Sequence, residues 1–164
     1  MNYNFEWDPQ KAQVNFKRHG ILFGEAATVF NDPNALTIFD SDHSGSEDRW
    51  ITMGISKKGR LLLACHTFKD ESKDSVSIRL FSSRKATRKE STLYGEWAMK
   101  EEYDFSKAEK GKFFRRDAKL NLPVYLDDEV IAFIEDIADR KGADFSFVAN
   151  QLLRNNMQLA EAIK

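Results

Sequence analysis

Cysteine is almost missing from this chain. Cys65 is alone among 164 residues, so no internal disulfide can form. Its place in the apolar run Leu61 to Cys65 makes it a core thiol of a cytoplasmic protein. No basic segment followed by an apolar stretch opens the chain, and no run approaches the length of a membrane span, so no membrane partner is expected. Charge of neither sign dominates either: 25 Lys and Arg against 26 Asp and Glu leave a formal net charge of -1. A nucleic-acid partner would therefore have to be met by a local patch, because the molecule has no strong overall field. What is present is 31% charged and 41% apolar residues, the balance of a globular chain and not of a disordered tail. The length suits one domain or two small ones.

The stretch from Ser75 to Tyr94 organises the rest. Val76, Ile78 and Leu80 alternate with Ser77, Arg79 and Phe81, which predicts a strand with one core face and one face carrying Arg79. From Lys85 the period becomes helical, and Ala86, Glu90, Leu93 and Trp97 share a stripe with Tyr94 at its edge. A carboxylate thus sits on an apolar face. Arg79, Arg84, Lys85, Arg88 and Lys89 precede it without an intervening acid, a concentration of positive charge suited to a phosphate-bearing ligand. A buried Glu90 paired to Arg84 for structure alone is the plainer alternative.

Upstream, Phe5 to Trp7 predicts a short strand, and Asp8-Pro9 opens a helix that Gly20 stops after His19. A second short helix covers Gly24 to Phe30. Strands follow at 35–41, 49–56 and 60–69, with connections too short for parallel crossovers. With the strand at Ser75 they form a four-stranded antiparallel meander under helices, an α+β domain. Residues 99–118 change character: Lys107, Lys110, Lys112, Arg115 and Arg116 mix with Tyr103, Phe105, Phe113 and Phe114. This predicts a linking arm that orders against a partner surface.

From Lys119 a second unit begins. Leu120, Leu122, Val124 and Leu126 alternate with polar positions as one strand; a helix capped by Asp127 or Asp128 then runs to Gly142, and Asp144 caps the last helix. One strand with two helices leaves two open edges and half a core, so a second copy is expected to pair with it. This unit resembles a ribbon-helix-helix repressor module of the CopG type. By position, Lys119, Asn121 and Tyr125 would face bases in the major groove, and the amides near Asp144 and Ser146 would meet phosphate. Pro123 lies in the same outward row and gives no donor to a ribbon. A dimerisation module that touches no DNA is the plain alternative.

Several separated motifs of the first part, in order, resemble the BrnT family of ribonuclease toxins. They are Phe5-Glu6-Trp7-Asp8, Arg18-His19-Gly20-Ile21, Phe23 to Pro33, Asp42-His43-Ser44 with Glu47 to Arg49, Gly59-Arg60-Leu61-Leu62 with His66, and Arg79 with Ser82 to Thr87, Glu90 and Tyr94. Met99 onward resembles the BrnA antitoxin that usually accompanies it, with Met99 as a former initiator. The expected organisation is a toxin domain at 1–98, a covering antitoxin arm at 99–118 and a ribbon-helix-helix domain at 119–164.

The resemblance implies a fold related to RelE-like toxins, RNA cleavage without a metal, neutralisation by the antitoxin arm and repression of the operon at an operator DNA. Such cleavage needs a base for the 2'-hydroxyl, donors for phosphate charge and an acid for the leaving oxygen. Arg49, Arg79 and Arg84 are the candidates for phosphate charge, Glu90 or His66 for the proton acceptor, and Tyr94 for a donor or a stacking platform. His66 shares its parity with Leu62, Ala64 and Phe68, so a satisfied core imidazole competes with a catalytic one. No cofactor is expected. A metal site from Asp40, Asp42, His43, Glu47 and Asp48 is a rival chemistry, but acids in a turn with Ser44, Gly45 and Ser46 are normally solvated. The partners expected are RNA, operator DNA and a second copy, giving a homodimer or higher even oligomer. The alternative function is a repressor whose toxin half is an inactive scaffold.

Overall fold

The computed structural model describes residues 2–95 and 105–162; Trp97, Met99 and Tyr103, singled out above, lie outside them. The first compact unit spans Met1–Pro123 and the second Val124–Lys164. In the first, β1 (Asn2–Glu6) leads into α1 (Pro9–His19), α2 (Phe23–Ala26) and a 3-10 turn (Ala27–Asn31). Then come β2 (Leu36–Phe39), β3 (Arg49–Ile55), β4 (Leu61–Ser72), β5 (Ser75–Lys85) and α3 (Arg88–Gly95). A 3-10 turn (Phe105–Lys107), β6 (Glu109–Lys110) and β7 (Lys119–Asn121) complete it.

The expected antiparallel meander is present as β2 to β5, but it is the middle of a larger mixed sheet ordered β6-β2-β3-β4-β5-β1-β7. β1 runs parallel to both β5 and β7, which the short connections of the meander could not reveal. On α1, Asp8 accepts from the amides of Gln10 and Lys11, and Gly20 ends the helix at φ 66°, as its left-handed conformation requires. The buried residue of α1 is Asn15, which donates to Ile21 O (3.2 Å) and Ser83 Oγ (3.0 Å) and accepts from Ser83 N (2.9 Å). Phe16 of the same helix is exposed.

Alternation along each strand splits the sheet into two faces. The first buries Tyr3, Phe5, Leu62, Ala64, Val76, Ile78 and Leu80 beneath Ile21, Phe23, Val29 and Phe30. The second buries Leu36, Ile51, Met53 and Leu63 beneath Leu93 and Tyr94 of α3 and Phe105.

One expectation for the C-terminal part is corrected here, the pairing of the strand from Lys119, which ends at Asn121. The described part of the arm is no tether: Phe105 packs on the second face, β6 extends the sheet beyond β2, and Phe113 enters the first face. The strand from Lys119 does not wait for a second copy, since β1 offers unpaired backbone groups along its outer edge. β7 takes that edge in register Asn2↔Lys119, Tyr3↔Leu120, Asn4↔Asn121. Residues 105–121 thus pass from one face, around the β2 border, across the other face to the far border, as a strap.

The second unit consists of α4 (Asp128–Lys141) and α5 (Phe145–Ala162) closing on Ile134, Ala138 and Val148. Gly142 ends α4 at φ 59°. Asp127 stands at the cap position without a side-chain bond, whereas Asp144 accepts from the amides of Ser146 (2.8 Å) and Phe147 (3.2 Å). No helix among the described residues is long and apolar enough to cross a membrane.

Candidate active site

The second face carries one polar row. Asp40 N donates to Arg49 O (2.9 Å), Arg49 pairs with Thr67, and Thr67 pairs with Arg79, so these four residues lie side by side across β2 to β5. Arg49 and Arg79 converge on one carboxylate. Glu47 accepts from Arg49 Nη2 at 3.4 Å and from Arg79 Nη2 in a closer contact. Phe81, beside a bulge in β5, lies under the Arg49 guanidinium at 5.1 Å from the ring centre. The Arg79 side chain keeps 44% of its surface exposed and that of Arg49 36%, so solvent and ligands reach both.

Arg84 and Glu90 form a second group on this face, five residues further along β5, about 15 Å away by strand rise. Arg84 donates from both terminal nitrogens to the two Glu90 oxygens, each at 2.8 Å. Glu90 also accepts from Thr87 N (2.8 Å), while its own amide donates to Thr87 Oγ1 (3.2 Å), the reciprocal pattern of a capping box. Glu90 is 1% exposed. Burial pushes its carboxyl up, but the bonds from Arg84 and Thr87 outweigh it and hold the group below the usual carboxylate range. Thr87-x-x-Glu90 was the available signal for this role. Cys65 sits between the two groups and senses both: burial pushes its thiol up to about 11, Asp40 adds to the shift, and Arg84 and Arg49 oppose it.

Tyr94 turns away from the arginines. Its hydroxyl donates to Asp32 Oδ2 at 2.5 Å, and that oxygen also accepts from Ile55 N (2.7 Å). Burial and then Asp32 push the phenol up, so Tyr94 stays protonated and ties α3 to the turn before β2.

His66 is on the other face. It is fully buried among Phe30 (4.8 Å between ring centres) and Phe113 (5.3 Å), with Nε2 bonded to Thr52 Oγ1 at 2.9 Å. Burial pushes its imidazole down to about 3. The bulge between Cys65 and His66 leaves this parity intact, so of the two readings the alternation left open, catalytic or core imidazole, the structure has His66 in the core.

The turn after β2 holds Asp40 paired with His43 Nδ1 (2.9 Å) and Ser44 donating to Asp40 O (2.6 Å). Among the described residues no three His, Cys, Asp or Glu side chains converge as metal ligands.

Of the residues expected to contact the toxin domain, Phe113 stacks on Phe68 (4.2 Å between ring centres) and meets Trp50 edge-on (5.5 Å). Tyr3 donates its hydroxyl to Phe113 O at 2.6 Å. Phe105 is buried and Phe114 half-buried. Of the DNA-facing candidates, Lys119 is exposed, and Asn121 donates to Asn4 Oδ1 (2.8 Å) within the first unit. Tyr125 is 51% exposed at the start of the second. The amides of Ser146 and Phe147 already have Asp144 as their acceptor.

The sequence profile described as "Ribonuclease toxin, BrnT, of type II toxin-antitoxin system" matches residues 7–90, which take in the whole polar row and Glu90. The chain belongs to the BrnT ribonuclease toxin family. A solved structure, that of the Brucella abortus ribonuclease toxin BrnT at 1.1 Å resolution, matches with 18% identity over 52% of this chain and 99% of that chain. The TM-score of that match is 0.35. No curated protein matches the chain. The BrnT match stops short of the strap and of the second unit.

Proposed function

We propose that this chain is a metal-independent endoribonuclease toxin joined to its own antitoxin segment. The observation that carries the reading is the convergence of Arg49 and Arg79 at an open end of the second face, in a chain of a ribonuclease toxin family. Two guanidiniums side by side suit a backbone phosphate and the charge that develops on it. In cleavage the 2'-oxygen bonds to phosphorus as its proton leaves to a base; the bond to the 5'-oxygen breaks and that oxygen takes a proton. Arg84 lies on the same face but is neutralised by its two bonds to Glu90, so it adds little field at that end. Glu90, engaged by three donors, and His66, buried and neutral, are both poorly placed as the resting proton acceptor.

The strap acts as the antitoxin element through Phe105, Phe113 and Phe114, with Tyr103 assigned to the same role. The chain from Lys119 onward pairs with a second copy and contacts operator DNA through Lys119 and Asn121 of β7 and through Tyr125, with the helix end near Asp144 and Ser146 approaching the phosphates. Because β7 is held by β1, a two-copy ribbon requires Lys119–Asn121 to leave the toxin sheet. Strap docking and ribbon formation then compete. The second reading is a repressor with an inactive toxin scaffold, favoured by the depth at which Phe113 is built into the core.

A protease site placed within residues 96–104 tests the choice. Intact protein is expected to leave RNA uncut; cut protein, separated from its C-terminal piece and shown by circular dichroism to be folded, cleaves RNA in excess EDTA and loses this in Arg79→Ala. A folded N-terminal piece that spares RNA, beside an intact chain that shifts its own promoter DNA at stated salt, gives the case to the repressor.

A further inference from the structure

Glu47 has no assigned role in the reading above, yet it occupies the space between the two arginines best placed for phosphate. Its carboxylate is 34% exposed and bridges side chains that are themselves partly exposed, so the contact is a weak, screened one. The geometry does not look built around it. Arg49 reaches it only at 3.4 Å, and Arg49 Nε is a buried donor with no acceptor. A guanidinium stacked on Phe81 with one nitrogen engaged presents more donors than a single carboxylate oxygen uses. Glu47 is also carried on a turn, outside the strands that fix Arg49 and Arg79. That turn is fastened at Asp40 by His43 and Ser44 and across its base by Ser44 Oγ, which accepts from Arg49 N; none of these bonds involves Glu47.

We propose that Arg49 and Arg79 form a binding site for a backbone phosphate of single-stranded RNA, and that Glu47 is its internal competitor, a carboxylate that stands in for the phosphate and must swing out. The proposal rests on the nuclease reading only for the identity of the ligand. The arginines lie at fixed strand positions, so the site survives the exchange, and only the turn moves. An exposed ion pair of this kind is displaced at a cost equivalent to no more than about fivefold in affinity. Its removal should return that factor.

The test uses the full chain and a fluorescent 2'-O-methyl single-stranded RNA oligonucleotide, which binds but cannot be cut. Glu47→Gln is expected to tighten binding about fivefold at low salt, and the gain is expected to vanish when Arg79→Ala is added. Unchanged or weaker binding in Glu47→Gln overturns the proposal, as does a gain that persists without Arg79. Cleavage of ordinary RNA by the separated toxin piece is read independently. Tighter binding with no cleavage leaves the phosphate site standing and removes the nuclease; cleavage with no change in binding removes the competitor and keeps the nuclease.

Discussion

Glu90 holds three donors at once, which makes it a structural carboxylate before it is anything else. Glu90→Ala removes the acceptor of both Arg84 bonds and uncaps α3, and is expected to cost about 3 kcal/mol, read as a lower urea midpoint. A loss of activity in that variant must therefore be compared with its stability before a catalytic role is assigned. His66 sets the acid side of stability. Its folded value of about 3 lies below the ordinary 6.5, so below that pH the unfolded chain binds a proton the folded chain refuses. Stability is full above pH about 6.5 and falls by about 2 kcal/mol by pH about 5, a slope that His66→Gln should flatten. Glu90 and the buried Glu25, whose carboxylate is held low chiefly by its bond from Arg60, add losses as the pH falls through the ordinary carboxylate range and below it. At this scale much was legible: the burial of Glu90 with Arg84, and the parity of His66. The place of Glu47 was not, because a turn residue has no periodicity, and only the register of β3 against β4 and β5 shows that Arg49 and Arg79 share a row.

The strap is held as a core element. Phe113→Ala removes a ring that touches Phe30, Trp50, His66 and Phe68 and is expected to cost about 4 kcal/mol. Tyr3→Phe, which removes only the bond to Phe113 O, should cost about 1 kcal/mol. Gly111 turns the strap at φ 63°, and a Cβ there would stand 3.0 Å from Pro33 O, so Gly111→Ala strains both the backbone and the contact. Thermal melts of these three variants rank the fastening points. Helix ends at Gly20 and Gly142 and the strands β2 to β5 were readable from local pattern, since capping and alternation are local physics. The strap was not: Phe105 and Phe113 are isolated aromatics in a polar stretch, and pairings such as Asn4↔Asn121 join residues that no window contains.

For the whole molecule, the division at Pro123 means that cutting the chain after Ala98 removes Phe105 and Phe113 from the body they complete. The second unit is too small to be stable on a core of Ile134, Ala138 and Val148 alone. It also leaves Phe133, Phe147, Leu153 and Met157 more than half exposed. A second copy is the expected cover, so light scattering should give a dimer and the melting temperature should rise with protein concentration. A monomer at all concentrations removes that pairing. The strap has one more effect. Because β6 covers Leu36 and Thr37 of β2 and β7 covers Asn2 to Asn4 of β1, releasing the strap bares backbone donors and acceptors at both borders of the sheet, and the released form should associate more readily through them.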